Sequence, residues 1–90
     1  MKFEYDPGKS TSNKVKHGMD FDKAQELWES KVLEIPAAHR LEQRFAAIGV
    51  LRGIYWTAIF TYRGSAIRLI SCRRSHKQEV ILYEQYTKTD

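Results

Sequence analysis

The first part of the chain contains two patterns of apolar and polar positions. Phe3 and Tyr5 alternate with polar residues and predict a short strand, which ends at a Pro-Gly turn signal. A helix is predicted from Gly8 to His17, with Gly18 as its left-handed cap. One face of this helix is polar and mostly basic, and it contains Lys9, Asn13, Lys16 and His17.

A second helix is predicted after Asp20, because aspartate is a good residue to cap a helix N-terminus. The apolar residues that follow have helical spacing, so we expect them to form a stripe that packs in the core. These residues are Phe21, Ala24, Leu27 and Trp28.

The second half of the chain is rich in β-branched and aromatic residues and predicts a sheet. A short strand from Lys31 to Pro36 precedes three longer strands, which we expect to form an antiparallel meander. The longer strands are Arg44 to Val50, Ile54 to Tyr62 and Ile67 to Cys72. Ser75 and Gln78 match a capping box, which predicts a final helix.

These elements together predict an α+β fold. In it a small antiparallel sheet carries two N-terminal helices and one C-terminal helix. A chain of 90 residues has enough surface to bury for one core, so we expect a single domain over residues 1–90.

The net charge of +4 is modest, so the distribution of charge along the chain is more informative than its sum. No acidic residue occurs between Gln43 and Gln78, whereas seven cations do. They are Arg44, Arg52, Arg63, Arg68, Arg73, Arg74 and Lys77. The stretch from Asp20 to Glu34, in contrast, holds five acids and two lysines. Such asymmetry suggests a polyanionic partner, with a solvated surface as the plain alternative.

The single cysteine, Cys72, excludes an internal disulfide framework. Residues 1–6 carry acids where a signal peptide would have its apolar core, and no run is long enough to cross a membrane. We therefore expect a cytoplasmic protein with no membrane role.

The side chains available for chemistry are mainly cations, imidazoles and phenols. The three histidines and the cysteine lack the spacing of a metal site, and no nucleotide-binding or nucleophile motif occurs. Histidine and arginine suit metal-free RNA cleavage. In that reaction a base takes the 2′-OH proton, cations stabilise the phosphorane-like transition state, and an acid protonates the leaving 5′-oxygen. The same residues would also suit a protein that only binds phosphate, so the residues alone leave RNA cleavage and phosphate binding without cleavage both open.

The chain also resembles a known family, the BrnT toxins of bacterial type II toxin-antitoxin pairs. The resemblance spans nearly the whole chain, and its most specific part is the combination of an Asn-x-x-Lys-His-Gly element with an Arg-x-Ile-Ser-x-Arg strand end. The matching residues are Asp6, Pro7, Lys9, Asn13, Lys16, His17, Gly18, Phe21, Ala24, Glu42, Arg44, Gly49, Arg68, Ile70, Ser71, Arg73, Glu79 and Tyr83. Cys72 departs from the family pattern, where alanine is usual, as does the start of the last helix at His76-Lys77-Gln78.

This resemblance implies a RelE-like fold and a metal-independent endoribonuclease that arrests translation and growth. It implies neutralisation by a BrnA-like antitoxin, which carries the DNA-binding domain, so that the toxin reaches DNA only through its partner. No metal or cofactor is implied. The alternative is a non-catalytic RNA-binding or inactive toxin-like protein that acts only by forming the complex. A DNA-binding regulator fits less well, since no helix-turn-helix spacing is evident.

Carried over residue by residue, the resemblance assigns three groups of site residues. The active-site candidates are His17, Arg44, Arg68 and Arg73. The candidates for RNA contact are Lys9, Asn13, Lys16 and Arg74. Supporting or proton-handling candidates are Glu42, Glu79 and Tyr83.

The antitoxin is expected to cover the basic surface formed by the helix from Lys9 to His17 and the strand end from Arg68 to Arg74. Opposite charge would speed formation of such a complex. The alternative position is the acidic second helix, around Asp22, Glu26 and Glu29.

Overall fold

A computed structural model describes residues 1–88. The strands are β1 (Lys2–Glu4), β2 (Leu33–Ala37), β3 (Arg44–Leu51), β4 (Ile54–Arg63) and β5 (Ala66–Arg74). The helices are α1 (Pro7–His17), α2 (Phe21–Ala24) and α3 (Lys77–Lys88), and a 3₁₀ helix (Gln25–Glu29) continues directly from α2. Within residues 1–88, no helix has the length and apolar character needed to cross a bilayer.

The five strands form one sheet in the order β1-β5-β4-β3-β2. The pairs from β2 to β5 are antiparallel, which confirms the predicted α+β meander, but β1 pairs with β5 in parallel. The sheet is therefore mixed, with an antiparallel meander and one parallel pair at its β1 edge. The alternation of Phe3 and Tyr5 predicts a strand, but it does not say which strand will be its partner or in which direction.

The main core lies between one face of this sheet and α2 with its 3₁₀ continuation. Phe21 and Leu27 are fully buried there against Phe60 and Ile67 of the sheet, which confirms the predicted apolar stripe. Gly49 lets the two layers approach closely, because a β-carbon at this position would lie 3.0 Å from the Leu27 side chain.

Helix α1 is held to the protein by polar side chains, because its one large apolar residue, Val15, is 84% exposed. The buried Asn13 amide donates to the carbonyl oxygens of Met19 and Cys72, at 2.7 Å each, and accepts from the Cys72 N–H at 3.3 Å. Ser10 Oγ accepts from the Phe21 N–H at 2.8 Å. The predicted polar face of α1 is thus partly buried.

Both ends of α1 follow from its capping residues. Asp6 accepts from the backbone N–H groups of Gly8 and Lys9, and Pro7 occupies the first turn, where its missing N–H costs nothing. Gly18 ends the helix at φ 83°, and its N–H donates to the Lys14 carbonyl oxygen.

The last helix begins one residue later than the predicted capping box. Glu79, rather than Gln78, reaches back and accepts from the His76 N–H at 2.7 Å, which is one half of a capping box in the shifted register. The Ser75 hydroxyl instead contacts the Thr57 hydroxyl at 2.8 Å. The start of α3 is therefore fixed by tertiary contacts as well as by local sequence.

Asn13→Ala should lower the free energy of unfolding by about 3 kcal/mol, because it removes three buried hydrogen bonds and leaves backbone groups of Met19 and Cys72 unpaired. Urea unfolding measures the change. Ser12→Ala, at an exposed position of the same helix, is the control and should change stability by less than about 0.5 kcal/mol. Equal effects of the two substitutions would contradict the docking role of Asn13.

Candidate functional site

The sheet face opposite the main core carries a row of polar residues at the end that is farther from α3. We call this the open end of the sheet. Arg68 of β5 pairs in register with Thr61 of β4, and the register of β3 places Arg44 opposite Thr61. The Cα atoms of the two arginines are thus separated by two strand spacings, or about 10 Å. The Thr61 hydroxyl donates to the Gln43 carbonyl oxygen at 2.7 Å, which secures the start of β3 beside the row.

The two arginines of this row differ in their partners. Arg44 Nε lies 3.0 Å from the Glu42 carboxylate, and both side chains are partly buried. Within residues 1–88, Arg68 forms no side-chain hydrogen bond or ion pair, although Glu4 is its in-register neighbour on β1. Because its charge is not matched by a protein carboxylate, Arg68 is the cation of the row best able to bind an external phosphate.

Arg73 lies on the same sheet face but at the other end, beside helix α3. Its register partner is Thr57, four residues from Thr61 along β4, or about 13 Å. Both terminal nitrogens of Arg73 contact the Glu79 carboxylate, at 2.8 and 2.9 Å. The sheet therefore brings Arg44 and Arg68 together and holds Arg73 apart from them.

Glu79 is the centre of this second cluster. Its Oε1 also accepts from the Thr57 hydroxyl at 3.0 Å and from the His76 N–H at 2.7 Å. Partial burial alone would raise the pKa of this carboxyl, but the hydrogen bonds from Arg73, His76 and Thr57 outweigh it and hold the pKa at about 2. Glu79 is thus ionised at neutral pH and is a weak base, so it suits a positioning role better than proton handling.

His76 lies in the same cluster and was not among the predicted site residues. Its Nδ1 is 4.0 Å from Glu79 Oε1, and its side chain is 71% exposed. An accessible imidazole next to an arginine and a carboxylate is a suitable group for proton transfer. The sequence signal was its position two residues after the end of β5, where loops often carry functional groups.

His17, the predicted catalytic histidine, lies at the end of α1 and not on the arginine-bearing face. It follows Asn13 by one helical turn, and Asn13 contacts Cys72 near the end of β5. His17 is half-buried and forms no hydrogen bond with another residue of the described chain. His17 and His76 thus lie on different elements that both meet the last residues of β5.

The predicted RNA contacts on α1 divide into two kinds. Lys9 and Lys16 are exposed, so their ammonium groups are available to a polyanion. Asn13 is only 7% exposed and its amide is already bonded to backbone groups, so we assign it a structural role.

Arg74 lies on the core side of the sheet, where its guanidinium is 5.5 Å from the centre of the Trp56 ring. Neighbouring arginines on β5 thus face opposite sides of the sheet, as strand geometry requires.

Tyr83 and Cys72 have structural contacts. The Tyr83 hydroxyl donates to the Lys31 carbonyl oxygen at 2.8 Å and ties α3 to the segment before β2. Cys72 is fully buried, and burial raises the pKa of its thiol to about 12 despite the opposing effect of Arg73, so it is not a reactive nucleophile. Among residues 1–88, no three His, Cys, Asp or Glu side chains converge as a metal site would require.

The free energy of unfolding should decrease as the pH is lowered, because the Glu79 carboxylate becomes protonated. Because its pKa in the folded protein is about 2, against an ordinary value of 4.5, the stabilisation is complete above about pH 4.5 and is lost as the pH falls toward 2. Glu79→Gln should lower the free energy of unfolding at pH 7 by about 2 kcal/mol and flatten its dependence on pH below 4.5. Urea unfolding from pH 7 to pH 3 measures both effects. Glu29→Gln, at an exposed acid, is the control, and an unchanged slope in the Glu79 variant would contradict the assignment.

The chain matches one family of known proteins. A search of curated proteins finds no match for the chain. The sequence model of the family described as the BrnT ribonuclease toxin of type II toxin-antitoxin systems matches residues 5–79, which include α1, the whole sheet from β2 to β5 and Glu79. This match covers most of the 90 residues. The chain therefore belongs to the BrnT family of ribonuclease toxins of type II toxin-antitoxin systems.

Proposed function

We propose that this protein is a metal-independent endoribonuclease that cleaves RNA in the cytoplasm and thereby arrests translation and growth. The observation that carries the proposal is the half-buried Arg68, without a carboxylate partner in the described chain, beside Arg44 on an open sheet face. A desolvated guanidinium of this kind binds a phosphodiester more strongly than a fully hydrated one would. We also propose that the fold is RelE-like, which its small sheet with flanking helices supports.

The proposed path of the RNA follows the arginines. Arg68 and Arg44 bind backbone phosphate at the open end of the sheet, and Arg73 contributes positive charge nearer to α3. Lys9 and Lys16 on α1 add positive charge beside β5, and Arg74 adds it on the core side of the sheet, next to Trp56. Glu42 and Glu79 orient Arg44 and Arg73, which limits the rotamers that each guanidinium can adopt.

Proton transfer is assigned to the two histidines near the end of β5, so the scissile phosphate lies beside Arg73, and the phosphates bound by Arg68 and Arg44 belong to flanking nucleotides. One of His17 and His76 takes the proton from the 2′-OH, whose oxygen attacks the adjacent phosphorus. The other donates a proton to the leaving 5′-oxygen, and this leaves a 2′,3′-cyclic phosphate and a 5′-OH. Arginine side chains stabilise the extra negative charge on the phosphorane-like transition state.

The partner of the toxin is proposed to be a BrnA-like antitoxin that neutralises it and carries the DNA-binding domain of the pair. The toxin itself then contacts DNA only through that antitoxin. Membership of a type II toxin-antitoxin family supports this proposal.

A second candidate function has one observation in its favour. Both Arg44 and Arg73 are already paired with carboxylates, which lowers the positive potential available to a transition state. A non-catalytic RNA-binding protein that acts only through its complex with the antitoxin would tolerate this pairing. Cleavage assays separate the two functions.

Purified protein should cut RNA in the presence of EDTA and leave 2′,3′-cyclic phosphate or 3′-phosphate ends, because the proposed acid, base and charge stabilisation all come from side chains. Gel analysis and mass spectrometry of the fragments measure this. Arg68→Ala should lower kcat/KM about tenfold or more, whereas Arg52→Ala, in the β3–β4 turn, should leave it nearly unchanged. Cleavage that stops with chelator and returns with magnesium would refute the metal-free mechanism.

His17→Ala and His76→Ala should each lower kcat about 100-fold or more, because general acid and base catalysis contribute at least that much. The wild-type rate should show a bell-shaped pH profile, and each variant should lose one limb of it. His39→Ala, at an exposed position in the loop before β3, is the matched control. If one histidine variant keeps both the rate and the profile of the wild type, that histidine has no part in proton transfer.

A further inference from the structure

An aromatic surface lies on the core-side face of the sheet, at its open end, beyond the cover of α1 and α2. We define it by Phe3, Trp28, Phe45 and Tyr62. The rings of Trp28, Phe45 and Tyr62 contact the buried ring of Phe60, and the Phe3 ring contacts Trp28. Neighbouring ring centres are 5.2 to 5.6 Å apart. Tyr62 is 48% exposed, so this apolar material reaches solvent.

A cavity of about 310 Å³ opens beside the aromatic surface. Its walls are Met1, Phe3, Gln25, Trp28 and Glu29. Phe3 and Trp28 are the aromatic residues among these, and Gln25 and Glu29 are the polar ones. The volume is enough for one long side chain of a partner, and this mixture of walls is typical of a specific docking site.

The charged side chains at this surface are acidic. Glu34 accepts from Trp28 Nε1 at 3.1 Å and from the Tyr62 hydroxyl at 2.6 Å, so a carboxylate is fixed among the rings. Glu29 lines the cavity and has no hydrogen bond or ion pair within the described residues. No lysine, arginine or histidine side chain lines the cavity. These two carboxylates outnumber the amino group of Met1, which also lines the cavity, so the surface favours a cation over a nucleic acid backbone.

The aromatic surface is also on the opposite face of the sheet from the arginines. Phe45 and Phe60 pair in register and point to the core side, whereas Thr61 and Arg68, the next pair in the ladder, point to the other side. A partner at the aromatic surface and an RNA at Arg68 would thus occupy different sides of one sheet.

We propose that the aromatic surface is the docking site for a segment of the antitoxin that carries a lysine or arginine between apolar residues. The cation enters the cavity between the Trp28 ring and the Glu29 carboxylate, where a cation–π contact and an ion pair act together. The flanking apolar residues cover Tyr62 and Phe45 and exclude water from the ion pair. This docking site rests on the proposed toxin function only in that the antitoxin supplies the segment.

The test compares matched charge changes in the full chain. Purified cognate antitoxin is titrated by calorimetry against the wild type and against Glu29→Lys. The same titration is made with Asp22→Lys, which makes the same charge change at an exposed acid outside the cavity. We expect Glu29→Lys to weaken antitoxin binding at least tenfold, Glu29→Gln to weaken it less, and Asp22→Lys to change it less than twofold. The double variant Lys9→Glu with Lys16→Glu tests the competing position on α1.

RNA cleavage is measured on the same proteins and separates this proposal from the proposed function. Glu29→Lys should cleave RNA at the wild-type rate, which also shows that it folds. Unchanged antitoxin affinity in Glu29→Lys, with tight binding by the wild type, would overturn the docking site and leave the nuclease intact. Loss of affinity only in the double lysine variant would place the antitoxin on α1. Tighter RNA binding by Glu29→Lys at unchanged antitoxin affinity would assign the surface to RNA and also overturn the proposal.

Discussion

The position of helix α1 depends on one side chain, the amide of Asn13. The edge of β5 is paired with β1 only as far as Arg68, so the backbone of Cys72 would otherwise present an unpaired N–H and C=O. Asn13 supplies both partners, as a neighbouring strand would, and also holds Met19 in the turn after the helix. The cations and the imidazole of α1 are thereby fixed to the strand that carries Arg68 and Arg73.

Asn13 thus forms one polar junction between a helix and the sheet, and Glu79 forms a second one between α3 and the sheet. It joins the start of α3 to β4 and β5 through Thr57, Arg73 and its own helix cap. Since no buried side-chain polar atom in the described chain lacks a partner, both junctions are fully satisfied. Apolar packing in the core stabilises the sheet, and these two polar junctions determine where α1 and α3 lie on it.

Local signals in the sequence predicted the elements well and their long-range contacts poorly. Caps such as Asp6 and Gly18 act within one helical turn, so the ends of α1 were predictable. The parallel partner of β1 and the pairing of Arg73 with Glu79 depend on how distant segments meet, which alternation and spacing do not encode. For the same reason the sequence does not reveal that the Asn13 amide is buried against backbone groups, or that His76 lies beside Glu79.

The parallel pairing of β1 with β5 has a consequence for the timing of synthesis. It joins residues from opposite ends of the chain, and such non-local contacts form late because the long intervening loop must close first. A nascent chain that has emerged only as far as β4 has neither Arg68 nor Arg73, and its first strand and Asn13 have no edge to pair with. The sheet that presents the proposed phosphate-binding arginines therefore cannot be completed until β5 has been translated and has left the ribosome.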